Sequence, residues 1–272
     1  MRFACLLLLG LLSLSLFTSC HPSSRVHTSE SFLYDTLGRY SYLIIGMNNG
    51  EITNSTGFFI RDTGNKLFLV SAYHVFTGCD LFPDTFQARR PDTLKVWYTD
   101  TLGTYKFAKL PLTAYKNKPC KSAAVLPDVD TMEVTAWFRD GAIYSVEHMA
   151  PHYWKVYNGL TEGDVVACYG YFQHSSAKFP PKDGDARVMP GGYTSHVIKM
   201  PGNIRGLLEQ NYLAVRPAYK EGFSGAPVFM IRSDSTHKRT IEFGGIQSGS
   251  SEDNTLSLVV RGVELGKLLH WK

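Results

Sequence analysis

Three short stretches hold side chains suited to breaking a covalent bond. EGFSGAPVF, Glu221 to Phe229, wedges Ser224 between glycines. A serine hydroxyl is a weak nucleophile until a base takes its proton, and the oxyanion formed by its attack needs hydrogen-bond donors already in place. Glycines let such a loop turn so that the amides of Gly222 and Ser224 face one point in front of the hydroxyl. A base is offered by KLFLVSAYHVFTG, where His74 stands at the mouth of an apolar run. Imidazole titrates near neutrality, as a group that takes and returns a proton must. PDVDTMEVTAWF offers a carboxylate, Asp130, ahead of alternating Met132, Val134 and Ala136. Each stretch alone has a plainer account: a tight turn, a half-buried structural histidine, a turn aspartate.

The elements that would have to position these groups are mostly strands. From Tyr40 onwards short apolar runs rich in β-branched and aromatic residues alternate with Gly, Asp, Asn or Pro: SYLIIGM, GFFIRD, KLFLVSA, LKVWYTD, TYKFAKL, MEVTAWF, DVVACYGYF, SHVIKM, YLAVRP, APVFMI, IEFGGIQ and LSLVVRG. DTGNK reads as a hairpin turn between the second and third. About a dozen short strands without a long helical period indicate an all-β chain, and the number suits two small barrels better than one. The closing GVELGKLLHWK reads as a short terminal helix over about 262–270. The stretch His174 to Gly192 contains Pro-Pro, Asp-Gly and Pro-Gly and reads as a long loop.

Taken together and in order, Gly57-Phe58-Phe59-Ile60, the run Leu69 to Val75 ending in Tyr73-His74-Val75, Asp130, and Gly222 to Pro227 resemble the trypsin-like serine proteases of the chymotrypsin fold. The similarity is to the bacterial branch, and it runs from about Thr56 to the end of the chain. GDVVACYGY fits that family's first strand of the second barrel, and GGIQSGS the strand lining its substrate cleft. The order His, Asp, Ser also fits. The resemblance implies two six-stranded antiparallel Greek-key barrels, about 40–140 and 158–261, with the cleft between them. It implies Ser224 as nucleophile, His74 as general base and acid, and Asp130 as the orienting carboxylate, because the family's Asp directly precedes the alternating strand. Asp128, two residues away on the same face, remains the alternative. The amides of Gly222 and Ser224 would hold the oxyanion.

By the same resemblance the substrate pocket has Ala218 at its floor, with Gln247, Ser248, Gly249 and Ser250 alongside. A neutral floor argues against a preference for Lys or Arg. Two departures stand out. Tyr73 replaces a small residue before the histidine, and Phe223 replaces the Asp or Asn often found before the serine. Phe223 cannot make the ion pair by which a newly cut N-terminus activates zymogens. This points to an enzyme that needs no such activation, or to one that has lost activity and serves as a binding module for peptides or a protein partner. The nucleophile elbow of α/β-hydrolases is excluded by chain order, since only 48 residues follow Ser224.

The N-terminus reads as a targeting segment. MRFACLLLLGLLSLSLFTSC carries one positive charge and an apolar run of about 12 residues, short for a membrane span, and fits an export signal over 1–19. LFTSC resembles the lipobox of bacterial lipoproteins, which implies a lipid on Cys20, a polar tether over 20–39 and a peptidase domain over 40–272 in the cell envelope, facing periplasm or exterior. Of the remaining cysteines, Cys79, Cys120 and Cys168 form no regular framework, and one bridge between two of them fits an oxidising compartment. The formal charge of +4 is scattered, which gives no footprint for nucleic acid. His148 and His152 have a zinc-like spacing, but Pro151 lies between them and no third ligand is evident, so neither metal nor cofactor is expected.

Overall fold

A computed structural model describes residues 37–48, 51–79, 90–100, 103–120, 127–141, 143–150, 159–173, 188–201, 208–233, 239–251 and 253–270. The export signal, Cys20, His152 and most of the tether lie outside them. Six strands form the first sheet: β1 (Tyr42–Asn48), β2 (Glu51–Arg61), β3 (Leu67–Ser71), β4 (Thr93–Thr99), β5 (Tyr105–Pro111) and β6 (Asp130–Glu133). Their order is β5-β4-β1-β2-β3-β6, with antiparallel neighbours. Six more close into a barrel: β9 (Val165–Gln173), β10 (Val188–Ile198), β11 (Tyr212–Arg216), β12 (Pro227–Ser233), β13 (Arg239–Ser250) and β14 (Ser257–Arg261). A two-stranded ribbon, β7 (Arg139–Asp140) with β8 (Ile143–Tyr144), lies between them in sequence, and a helix Gly262–Leu268 ends the chain.

The unbroken apolar runs have a physical reason. Strands facing the inter-barrel seam are buried on both sides, so both sets of alternating residues are apolar. In β2, Phe59 enters the first core while Phe58 and Ile60 enter the seam. In β9, Val166 and Cys168 point into the closed barrel while Ala167 and Tyr169 meet the seam. In β12, Val228 and Met230 point inward and Phe229 joins the seam. Phe58 and Phe243 pack ring to ring across it, centroids 5.7 Å apart. That shared layer holds the two halves in one arrangement.

Two expectations are corrected. The stretch 188–192, read as loop, is the start of β10: Pro190 pairs with Tyr171 and Gly191 with Gly170. There β10 has a partner on one side only, because β11 joins it at His196, and a proline without an N–H is tolerated at such an edge. MEVTAWF is not one strand. β6 stops at Glu133, and Thr135–Phe138 forms a single helical turn that buries Phe138.

Candidate active site

His74 does not extend its strand. After β3 the chain turns at Ala72 into a five-residue helix, Tyr73–Thr77, closed by Gly78, whose N–H donates to the His74 carbonyl at 2.7 Å. Cys79 then forms a disulfide with Cys120. Tyr73, the unusual neighbour of the histidine, donates its hydroxyl to the Pro119 carbonyl at 2.9 Å. The histidine turn is thus fastened to the segment that leads towards the acid.

The carboxylate facing His74 is Asp128, not Asp130. Asp128 Oδ1 accepts the His74 amide at 2.9 Å, and its Oδ2 lies 2.8 Å from ring Nδ1. Strand register explains the difference. Asp130 pairs with Ser71, so a residue two places earlier on that side lies level with a residue two places further along the other, beside Tyr73 and His74. Asp130 Oδ2 instead accepts Lys118 Nζ at 2.6 Å, and that ammonium lies 4.2 Å from the Tyr115 ring centroid. The acid nearer the alternating strand is a brace.

Asp128 is 4 % exposed, and its backbone N–H donates to the Tyr212 hydroxyl at 2.8 Å. Burial works against its ionisation. The charge of His74, hydrogen bonds from the His74 ring, the Ser248 hydroxyl and the His74 amide outweigh burial and hold the carboxyl below its ordinary value. An ionised Asp128 accepting from Nδ1 places the imidazole proton there and leaves a lone pair on Nε2, the arrangement a general base needs.

Ser224 belongs to the closed barrel. Its loop runs through two left-handed glycines, Gly222 at φ +95° and Gly225 at φ +86°. A Cβ on Gly225 would fall 2.0 Å from Ser71 Oγ, so any larger residue would push the loop off the first sheet. Phe223 N–H donates to Lys220 O, Gly225 N–H to Gln247 O and Ala226 N–H to Phe223 O. Among the described residues, the amides of Gly222 and Ser224 make none of these backbone bonds. Ser224 Oγ donates to the Ser248 carbonyl at 3.1 Å, and Ser248 Oγ donates to Asp128 Oδ2 at 2.6 Å. One residue of β13 therefore joins the serine of the second half to the acid of the first.

Phe223 is fully buried. It stacks on Tyr219 (5.9 Å, 15°) and Phe172 (6.3 Å, 29°) and meets Tyr193 edge-on at 5.3 Å. The loop is fixed by aromatic packing where an ion pair would fix it in a zymogen-derived site.

Of the expected pocket residues, Ala218, Gly249 and Ser250 are half-buried, while Gln247 and Ser248 are buried. A residue missed in the sequence gathers several of them: the Ser257 hydroxyl receives the Tyr219 N–H at 2.9 Å and lies 3.3 Å from both Gln247 Nε2 and Ser250 Oγ. Among the described residues Gln247 Oε1 is buried without a hydrogen-bond partner. The Ser248 side chain was also missed; it sits where the register of β13 with β14 shifts between Gln247 and Gly249, an irregularity that simple alternation in GGIQSGS does not foretell. A separate cavity of about 520 Å³, walled by Tyr42, Trp97, Tyr144, Tyr169 and Tyr171, includes none of His74, Asp128 and Ser224. Among the described residues no cluster of His, Cys, Asp and Glu is suited to a metal.

No protein-family model matches the chain, and no curated protein matches it in sequence. Solved structures do match in shape. Deg5 aligns over 87 % of this chain and 90 % of its own, at 13 % identity and a TM-score of 0.50. The protease Anisep of Arthrobacter nicotinovorans aligns over 82 % and 90 %, at 12 % identity and 0.49. The tobacco etch virus protease, in a complex with product, aligns over 84 % and 75 %, at 14 % identity and 0.46. With its six-stranded sheet, closed six-stranded barrel and intervening seam, the chain has the two-barrel fold of the chymotrypsin-like serine proteases.

Proposed function

We propose that the protein is an exported serine endopeptidase that cleaves peptide or protein substrates with Ser224, His74 and Asp128. One observation carries this reading: Asp128 grips His74 through both backbone and ring while Ser248 ties the same carboxylate to the Ser224 hydroxyl. In the reaction, Ser224 Oγ attacks the scissile carbonyl as its proton passes to His74 Nε2. Asp128 keeps the imidazole in the required tautomer and stabilises its charged form. The amides of Gly222 and Ser224 receive the oxyanion. The tetrahedral intermediate collapses when His74 returns the proton to the leaving amine, and water deprotonated by His74 then releases the acyl group from Ser224.

Neutral surroundings at Ala218, with amide and hydroxyl groups at Gln247, Ser250 and Ser257 and no carboxylate among them, support a neutral residue before the cut. Packing of Phe223 supports a loop that needs no cleavage of a precursor to assemble. The Cys79–Cys120 bridge supports maturation in an oxidising compartment, in keeping with export and a lipid anchor on Cys20. Labelling with a fluorophosphonate tests the reading. Wild type should gain one adduct at Ser224, and Ser224→Ala none. A folded wild type that stays unlabelled and cuts no peptide would leave only the binding-module alternative.

A further inference from the structure

We infer that the side-chain hydroxyl of Thr56 is a positioning residue for the oxyanion loop, an inference that rests on the catalytic reading of Ser224. Thr56 lies on β2 of the first sheet, is fully buried, and reaches across the seam to two carbonyls of the second barrel. Its N–H donates to Ser224 O at 2.9 Å, and its Oγ1 donates to Gly222 O at 2.9 Å. The same hydroxyl oxygen accepts the N–H of Tyr171 on β9 at 3.0 Å, and the Thr56 carbonyl accepts Ser71 Oγ at 2.8 Å. Every polar group of Thr56 is therefore committed.

The consequence follows from peptide planarity. In a trans peptide the N–H and C=O point in opposite directions, so fixing either end fixes the other. The Gly222–Phe223 peptide is held at its carbonyl by Thr56 Oγ1 and at its amide by Lys220 O. The Ser224–Gly225 peptide is held at its carbonyl by Thr56 N–H and at its amide by Gln247 O. Between them, the Phe223 carbonyl faces the Ala226 N–H, which turns the Ser224 N–H the other way. The unit carrying a donor for the oxyanion is thus clamped on both flanks by one residue. Without the hydroxyl the Gly222 carbonyl loses its only hydrogen bond among the described residues, and the Gly222–Phe223 peptide keeps only the 3.2 Å bond from the Phe223 N–H to Lys220 O, on a glycine already at φ +95°.

Three variants separate the hydroxyl from its neighbours. Thr56→Val keeps the shape and removes the hydroxyl, Thr56→Ser keeps the hydroxyl and removes the methyl, and Thr56→Ala removes both should Val not fold. Turnover of a peptide substrate, normalised to folded protein well below each melting temperature, should fall about 10- to 100-fold in kcat for Val and Ala with KM nearly constant. A peptide boronate, which mimics the tetrahedral state, should weaken by a similar factor. Ser should remain within about threefold of wild type. Folded Val with wild-type kcat overturns the inference, as does Ser failing as badly as Val, which would assign the effect to the methyl group. If wild type itself proves inert towards fluorophosphonate and peptides, the catalytic reading fails separately. The backbone amide NMR shifts of Phe223 and Ser224 then decide the positioning claim: moved in Val and kept in Ser if it holds, unmoved in Val if it does not.

Discussion

The two halves of the molecule solve the same construction problem differently. The second closes its six strands on themselves, so every strand has a neighbour on each side along part of its length, and its loop Gly222 to Gly225 leans on an aromatic cluster around Phe223. Among the described residues the first is an open sheet with β5 and β6 at its edges, and β5 exposes Tyr105 and Phe107. Its histidine and acid lie beyond the ends of β3 and β6, outside the ladder. There the chain uses local fasteners: the Cys79–Cys120 bridge, Tyr73 on Pro119, and Lys118 between Asp130 and Tyr115. A closed barrel holds the Ser224 loop through its core, whereas the open sheet holds the His74 turn with staples.

The largest test of that division combines the halves. His74→Ala and Ser224→Ala should each lower kcat by about 10⁶-fold, as in other sites whose members act as a unit. Their double variant should be no worse than either single one. Additive losses in single-turnover assays would show that the two halves do not act on one bond.

Next in size are the two kinds of support. Phe223→Ala should cost about 3–5 kcal/mol, because it empties the middle of a stacked cluster, and should abolish labelling of Ser224 even where the barrel stays folded. Urea midpoints and adduct formation check both parts. Replacing Cys79 and Cys120 with serine releases a link spanning a sequence separation of 41. Stability should fall by about 3–4 kcal/mol on loop-closure grounds. Hydrogen exchange should rise around Tyr73 to Gly78 and stay unchanged in β12 and β13; equal loosening of both halves would contradict the contrast.

Much of this was legible in the residues. Strand runs, the hairpin at Asp62 to Asn65 and the Ser224 loop follow from turn chemistry and apolar patterning that act locally. The seam also left a mark, as doubly apolar runs such as GFFI and VVACY. What the residues did not reveal depends on register and on distant partners. Asp128 and Asp130 share type, spacing and face, and only the pairing of Ser71 with Asp130 decides which one meets His74. The Ser248 hydroxyl and Thr56 are ordinary small polar residues in sequence, and their roles arise from contacts more than a hundred residues away. Phe223, a departure from the pattern that the sequence resembles, makes sense once Phe172, Tyr193 and Tyr219 surround it.

The smallest expected effect is on pH dependence. Asp128 is held below its ordinary carboxylate value in the folded protein, so its ionised form contributes stability above that ordinary value, about 3.9. The contribution is lost as pH falls through the lower folded value. The stability difference between wild type and Asp128→Asn should therefore be present at pH 5 and shrink below about pH 4. Urea midpoints across that range measure it, and a difference already shrinking at pH 6 would place the folded value on the wrong side.

The central claim is that Asp128 orients His74 for attack by Ser224. Its most direct test is the kcat of Asp128→Asn and Asp130→Asn measured side by side on one peptide substrate. Asp128→Asn should lose about 10⁴-fold through the wrong imidazole tautomer. Asp130→Asn, which removes only the partly exposed pair with Lys118, should stay within a few-fold of wild type. Equal losses, or a larger loss at Asp130, would contradict the account.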